Sequence, residues 1–375
     1  MTTRLRINSN IIITISLLVA LAGFGTWVMM LSGTDAARVW RAFLINFLFF
    51  TSAAAGLVTI PAMVVATYGN WMGNLEKYAW TGLSFSVPSV IALVVLWIGS
   101  NSWAPWLDNE HAYHKIWLDN TFLFLRNTLL LTLFWIMAFV FIRNRQKKGF
   151  RKWAYWLCLT FAITFSVMGF DFVMALEPEW YSMMTGGYFF VSSLYMAIAL
   201  WIILSLLFSQ PEKKKLHDMG KLLIAFCMIT TYLMFSHLLP IWYENIPHET
   251  LFLVPRMNLA WKGISLLLLG VVYLGPIFLL LPAYTKRKPI LIGGIATMIF
   301  LGMWVERWWL VSAVFEWNKV TFGWAEIIPF LAFLGISMAG IITGLNFVSE
   351  KYMPNDYSST EKVHSNKKIY TREKQ

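Results

Sequence analysis

The sequence predicts an all-α polytopic membrane protein with ten transmembrane helices, and three observations predict it. Of 375 residues, 58% are hydrophobic and only 13% charged, about half the roughly 25% charge of an average soluble domain. The mean hydropathy is +0.61. The apolar residues gather into ten runs near the roughly 20 residues that a helix needs to cross a bilayer, with loops rich in Gly, Pro, Asn and charge between them.

The runs are justified in order. Residues 11–31 follow Arg4 and Arg6, and Ala20-Leu21-Ala22 resembles a cleavage site. The apolar run continues to Leu31, so it reads as an uncleaved first span. Residues 43–68 form span 2, with Phe49-Phe50-Thr51-Ser52 inside it, and 77–100 form span 3. Span 4, 121–142, has Arg126 near its start and the basic run Arg143 to Lys152 after it. Span 5, 153–175, ends in Gly169-Phe170-Asp171-Phe172-Val173. Span 6, 185–209, carries Phe189-Phe190-Val191-Ser192, and span 7, 219–240, carries Tyr232, Ser236 and His237. Span 8, 259–283, begins near Lys262. Span 9, 289–311, holds Trp304-Val305-Glu306-Arg307-Trp308, and span 10 is 325–348.

Charge sets the expected orientation. The basic run after span 4, Lys213-Lys214-Lys215 and Lys286-Arg287-Lys288 all fall on one side, with both termini. Basic loops mark the cytoplasmic face, so the expectation is a multi-pass membrane protein with cytoplasmic ends. Residues 1–350 read as one integral membrane domain, and 351–375 as a polar, disordered cytoplasmic tail. The net charge of +11 resides mainly in these short loops and comes with no nucleic-acid-reading motif. Cys158 and Cys227 sit in apolar runs without metal or iron–sulfur spacing and read as small buried hydrophobes.

Spans 2–5 (43–175) and 6–9 (185–311) read as two copies of one four-helix bundle, flanked by spans 1 and 10. Arg126 is 136 residues before Lys262, and Asp171 is 135 before Glu306. Two copies four spans apart share their orientation, which implies a pseudo-twofold axis along the membrane normal. Asp171 lies 19 residues beyond Lys152, and Glu306 lies 18 beyond Lys288, roughly 28 and 27 Å along a helix. With His237, Arg126 and Lys262 they form an ionisable layer in the outer third of the membrane.

An intramembrane charge is costly and marks a candidate site. Arg126–Asp171 and Lys262–Glu306 read either as structural ion pairs or as a proton path beside a ligand pocket. Arg307 is a local partner for Glu306. His237 reads as a hydrogen-bonded core histidine or as a quinol partner or proton relay. Glu177, Trp180, Tyr181, Trp242, Tyr243 and Glu244 lie in outer loops. They are solvated or interfacial side chains, or else a partner-docking surface or channel mouth. No nucleotide loop, nucleophile elbow, zinc cluster or haem c motif is present in the sequence.

The stretch Phe165 to Ser182, with Gly169-Phe170-Asp171-Phe172-Val173 and Leu176-Glu177-Pro178-Glu179-Trp180-Tyr181, resembles a signature of the NrfD-like, polysulfide reductase-type membrane subunits. So do His217-Asp218-Met219-Gly220-Lys221 and Ile241 to Thr250. The likeness is closest to the smaller of the two such quinone-binding subunits in alternative complex III. It implies two four-helix bundles with flanking helices in a quinol:cytochrome c oxidoreductase, or in another respiratory oxidoreductase with an NrfD-type anchor. Such a subunit would contain no redox cofactor. It would bind quinol or quinone near the outer face, conduct protons, or serve as a structural anchor. The implied partners are an iron–sulfur/molybdopterin-like subunit, multihaem and monohaem cytochromes c, a second NrfD-like subunit and membrane lipid. Asp171 matches the family's intramembrane acid.

Overall fold

The computed structural model describes residues 9–107, 116–244, 246–247 and 249–352, with side chains to 346. The expected tail beyond 352, Arg4, Arg6, Asn245 and His248 lie outside the described residues, and the helix of span 10 takes in 351 and 352. Among the described residues, ten helices are long and apolar enough to cross a membrane: Ser9–Met30, Ala36–Ala66, Gly73–Ile98, Asn120–Asn144, Arg151–Leu176, Met184–Phe208, Lys213–Glu244, Leu259–Leu280, Pro289–Phe315 and Trp324–Asn346. They correspond one for one with the ten expected runs and are numbered spans 1 to 10. No strand occurs among the described residues, as a bilayer requires of any chain that does not close into a barrel.

Local chemistry sets several helix ends. Asp119 accepts the Phe122 amide at 2.8 Å and caps span 4. Pro289, with no amide hydrogen to satisfy, opens span 9. The Glu326 carboxylate reaches back to the Gly323 amide at 2.8 Å at the start of span 10. It also receives Arg38 of span 2, at 2.8 and 2.7 Å, which fastens spans 2 and 10 together.

Span 2 is the hub, with 94% of its apolar window buried, against 17% for span 1. It packs against spans 5, 6, 9 and 10. Small residues permit this, because helices in lipid associate through close packing rather than a hydrophobic gain. A Cβ on Gly56 of span 2 would lie 2.5 Å from the Ala197 Cβ of span 6 and 2.9 Å from the Ser193 carbonyl. The neighbour relations pair off: span 2 packs on 5 and span 6 on 9, while span 5 packs on 6 and span 9 on 2. Spans 1 and 10 pack on each other beside this eight-helix body.

Span 8 departs from α geometry. Residues Leu269–Leu274 form a π-helix, an arrangement that frees carbonyls and is frequent at functional sites. The Val272 carbonyl accepts from the Tyr195 hydroxyl at 3.0 Å, and the Tyr273 carbonyl from the Cys227 thiol at 3.3 Å. Cys227 is thus a donor to the widened turn as well as a small apolar filler.

Candidate functional site

Among the described residues, Asp171 and Glu306 are the carboxylates with no exposed surface. In the first cluster, Asp171 lies at the close of span 5. Its Oδ2 accepts from Arg126 Nε at 3.0 Å, Arg126 Nη2 at 2.7 Å and Asn127 Nδ2 at 2.5 Å. Its Oδ1 accepts from Trp117 Nε1 at 2.9 Å. The Arg126 guanidinium lies 3.8 Å from the Trp117 ring centroid and 4.7 Å from that of Phe122. Arg126 and Asn127 are consecutive on span 4, so one helical turn supplies three of the four donors. The carboxylate is closed in by charge-assisted bonds.

The second cluster is built differently. Glu306 and its chain neighbour Arg307 are both fully buried, and Arg307 Nη1 donates to Glu306 Oε2 at 2.9 Å. Arg307 Nη2 donates to the Ser192 hydroxyl at 2.9 Å, and the guanidinium lies over the Phe189 ring at 4.2 Å. The Tyr188 hydroxyl donates to Glu306 Oε1 and lies 2.7 Å from the Tyr273 hydroxyl. Hydrogen bonds therefore run from Tyr273 on span 8, through Tyr188 on span 6, to Glu306 on span 9.

Tyr273 is also part of the back wall of a cleft of about 610 Å³ between spans 7 and 8. Buried Leu268, Trp309 and Arg256 complete that wall, while exposed Tyr232, Phe235 and Leu266 form its rim. A second groove of about 660 Å³ runs between spans 3 and 4 and is roofed by Thr343 and Gly344 of span 10. No charged side chain lines it among the described residues, and no carboxylate cluster touches it.

Three expectations need correction. Lys262 does not pair with Glu306: its side chain is exposed. The preceding residue, Trp261, is buried with its Nε1 on the Glu316 carbonyl at 2.8 Å. A helix turns about 100° per residue, so Lys262 faces outward. Arg307 holds Glu306 instead, with Arg256 contributing its field from a short helix before span 8. Trp180 is not a docking side chain. It is buried, with its ring stacked on Phe252 at 4.6 Å. Glu177 is half-buried rather than a free loop carboxylate. Burial raises its carboxyl above the usual range, and nearby Arg256 pulls it back.

Tyr181 is exposed, whereas Trp242, Tyr243 and Glu244, expected in a loop, are exposed on the last turn of the helix of span 7, which runs to Glu244. His237 is buried against the rings of both Trp180 and Phe252, at 5.1 and 4.7 Å, and its Nε2 has no partner. Tyr232 stands on the cleft rim, whereas Ser236 is half-buried outside the cleft wall. Among the described residues no group of three or more His, Cys, Asp or Glu is placed to hold a metal.

Arg256, Tyr188, Tyr273, Asn127 and Trp117 escaped sequence reasoning. Arg256 had a signal: it is the one charge in the apolar run Leu251 to Met257. The tyrosines had none, since a buried hydroxyl is indistinguishable in sequence from an interfacial one.

Fold and site together define a polytopic all-α membrane protein in which Asp171 and Glu306 are fully buried carboxylates held by arginines. A scan of protein-family models finds no match to the chain, and a comparison with curated proteins finds none either.

Proposed function

We propose that the chain is a quinol-interacting, proton-handling membrane subunit of a quinol:cytochrome c oxidoreductase of the alternative complex III type. The reading rests on the NrfD-like resemblance of the sequence. One structural observation supports it most: the chain from Tyr273 through Tyr188 to the buried Glu306, reached from a cleft between helices. The paired packing of spans 2–5 and 6–9 agrees with a duplicated bundle.

Oxidation of a quinol to a quinone releases two electrons and two protons. The electrons require an acceptor, here an iron–sulfur or haem c centre of a partner subunit. The protons require a base within hydrogen-bond reach of the hydroxyl. The Tyr273 hydroxyl can pass a proton inward by giving its own to Tyr188 while taking one from the cleft, and Glu306 terminates the chain. Arg307 offsets the carboxylate charge, which in a dry site would otherwise be prohibitive. In this proposal the two clusters lie toward the outer face of a bacterial inner membrane, and both chain ends are cytoplasmic.

A second reading is favoured for the first copy. Asp171 has four donors on its two oxygens, which suits an ion pair that holds spans 4 and 5 together better than a base.

Affinity purification of the tagged chain from its native membrane tests the proposal. Co-purification of haem c and iron–sulfur subunits with quinol:cytochrome c activity is expected. A chain that purifies alone, without haem, would refute it.

A further inference from the structure

The groove between spans 3 and 4 has apolar walls and a basic mouth. Trp80, Leu83 and Val87 of span 3, Ile136 and Phe139 of span 4 and Gly344 of span 10 help to line its volume of about 660 Å³. Val87, Ile136 and Phe139 are exposed, so the groove is open to the apolar phase around the bundle. It lies toward the start of span 3 and the ends of spans 4 and 10, where the chain turns basic. Residues 66–80 and 143–152 carry seven Lys and Arg and one carboxylate, Glu76.

That carboxylate is already taken. Arg145 donates to both Glu76 oxygens, at 3.2 and 2.7 Å. Arg143 is exposed and pairs with no carboxylate among the described residues. It follows Ile136 by seven residues and Phe139 by four, two turns and one turn of helix, so it continues the groove-lining side of span 4 beyond the groove. Lys77 precedes Trp80 by three residues, one turn, on span 3. Its Nζ lies over the Tyr78 ring at 5.1 Å, and it too has no carboxylate partner among the described residues. Two helices thus each bring an unpaired cation to the mouth of one apolar groove.

The walls and the mouth do different things for a ligand. In a bilayer the walls do not choose between lipids, because lipid tails are as apolar as the side chains they meet. Headgroup charge does choose. Each Lys or Arg near an anionic headgroup contributes about fivefold in affinity, and an Arg fork matches the geometry of a phosphate. We propose that the groove is a site for one anionic phospholipid, with an acyl chain along Val87, Ile136 and Phe139 and its phosphate between Lys77 and Arg143. The site goes beyond the respiratory reading and does not rest on it.

The test places the purified complex, or the chain as it purifies, in nanodiscs of neutral phosphatidylcholine with a trace of one probe. The probe is phosphatidylglycerol or phosphatidylcholine, each with a diazirine on the same acyl chain. The phosphatidylglycerol probe is expected to label peptides from 80–91 or 132–139 about thirtyfold more than the phosphatidylcholine probe, since two cations act together. Lys77→Gln combined with Arg143→Gln should bring it down to the phosphatidylcholine level. Neither side chain belongs to an ion pair among the described residues, so the variant keeps those that hold the fold. Val87→Trp is a second variant, which fills the groove and leaves both charges in place, and it should remove the same excess labelling. Equal labelling by the two probes, or an excess that persists in either variant, would overturn the proposal. A chain that purifies without redox partners would end the respiratory reading and leave this result untouched.

Discussion

Asp171 and Glu306 both place a carboxylate among apolar helices, and their neighbours give them different work. Asp171 is saturated by Arg126, Asn127 and Trp117, and loss of its charge would leave a largely buried guanidinium without a counterion. Breaking such a pair costs roughly 3–5 kcal/mol. Asp171→Asn should therefore lower the thermal midpoint of the purified protein by several degrees, with near-normal turnover per assembled complex. Normal stability with lost turnover would reverse the assignment. Glu306 instead has a phenol on one oxygen and Arg307 on the other. Tyr188→Phe interrupts the only hydroxyl between Tyr273 and Glu306 that the described residues show. It should slow quinol oxidation at least about tenfold, since a positioned acid–base group contributes roughly 10²–10⁴-fold. The measurement is steady-state cytochrome c reduction normalised to haem. The acids themselves were legible in the sequence, because each interrupts a long apolar run. Their partners were only half legible. Arg126 lies 45 residues from Asp171 on the adjacent span, and the match of charge and depth suggested the pair. Lys262 satisfied the same arithmetic and still faces outward, because spacing along the chain does not fix the azimuth of a side chain on its helix.

Helix existence was the most legible property at the element scale. A bilayer allows few alternatives to a span of about 20 apolar residues, so the ten runs and the ten helices coincide. The π-turn at Leu269–Leu274 had no sequence signature of this kind. It exists because Tyr195, Cys227 and Thr231 satisfy its carbonyls from two other helices, and such tertiary donors cannot be read locally. Tyr195→Phe removes the bond to the Val272 carbonyl and should destabilise the protein by roughly 1–3 kcal/mol, read as a fall in thermal midpoint. Span 2 shows the opposite case. Ala53-Ala54-Ala55-Gly56 is a small-residue stretch of the kind that permits close helix contact, and a Cβ on Gly56 would lie 2.5 Å from that of Ala197. Gly56→Val should cut the yield of folded protein in the membrane, measured by fluorescence-detected size exclusion. A wild-type profile would show that spans 2 and 6 can separate without harm.

The whole molecule is asymmetric where its sequence suggested two equal halves. The groove beside spans 3 and 4 has no charged wall residue, whereas the cleft beside spans 7 and 8 has Arg256 and touches Tyr273, the start of the hydrogen-bonded chain to Glu306. On the function proposed above, the second half takes the ligand and the first gives support. Orientation is open to experiment through single cysteines. Cysteines placed at Gln146 and Thr285 should be shielded from an impermeant maleimide in intact cells, and one at Ser182 should react; the reverse pattern would invert the topology expected from the basic loops. Whether Glu306 accepts protons from a quinol oxidised beside it is decided by Glu306→Gln in the intact, purified complex. Full haem content and assembly are expected, with quinol:cytochrome c turnover reduced at least about tenfold. Wild-type turnover with a wild-type yield of released protons would contradict that role.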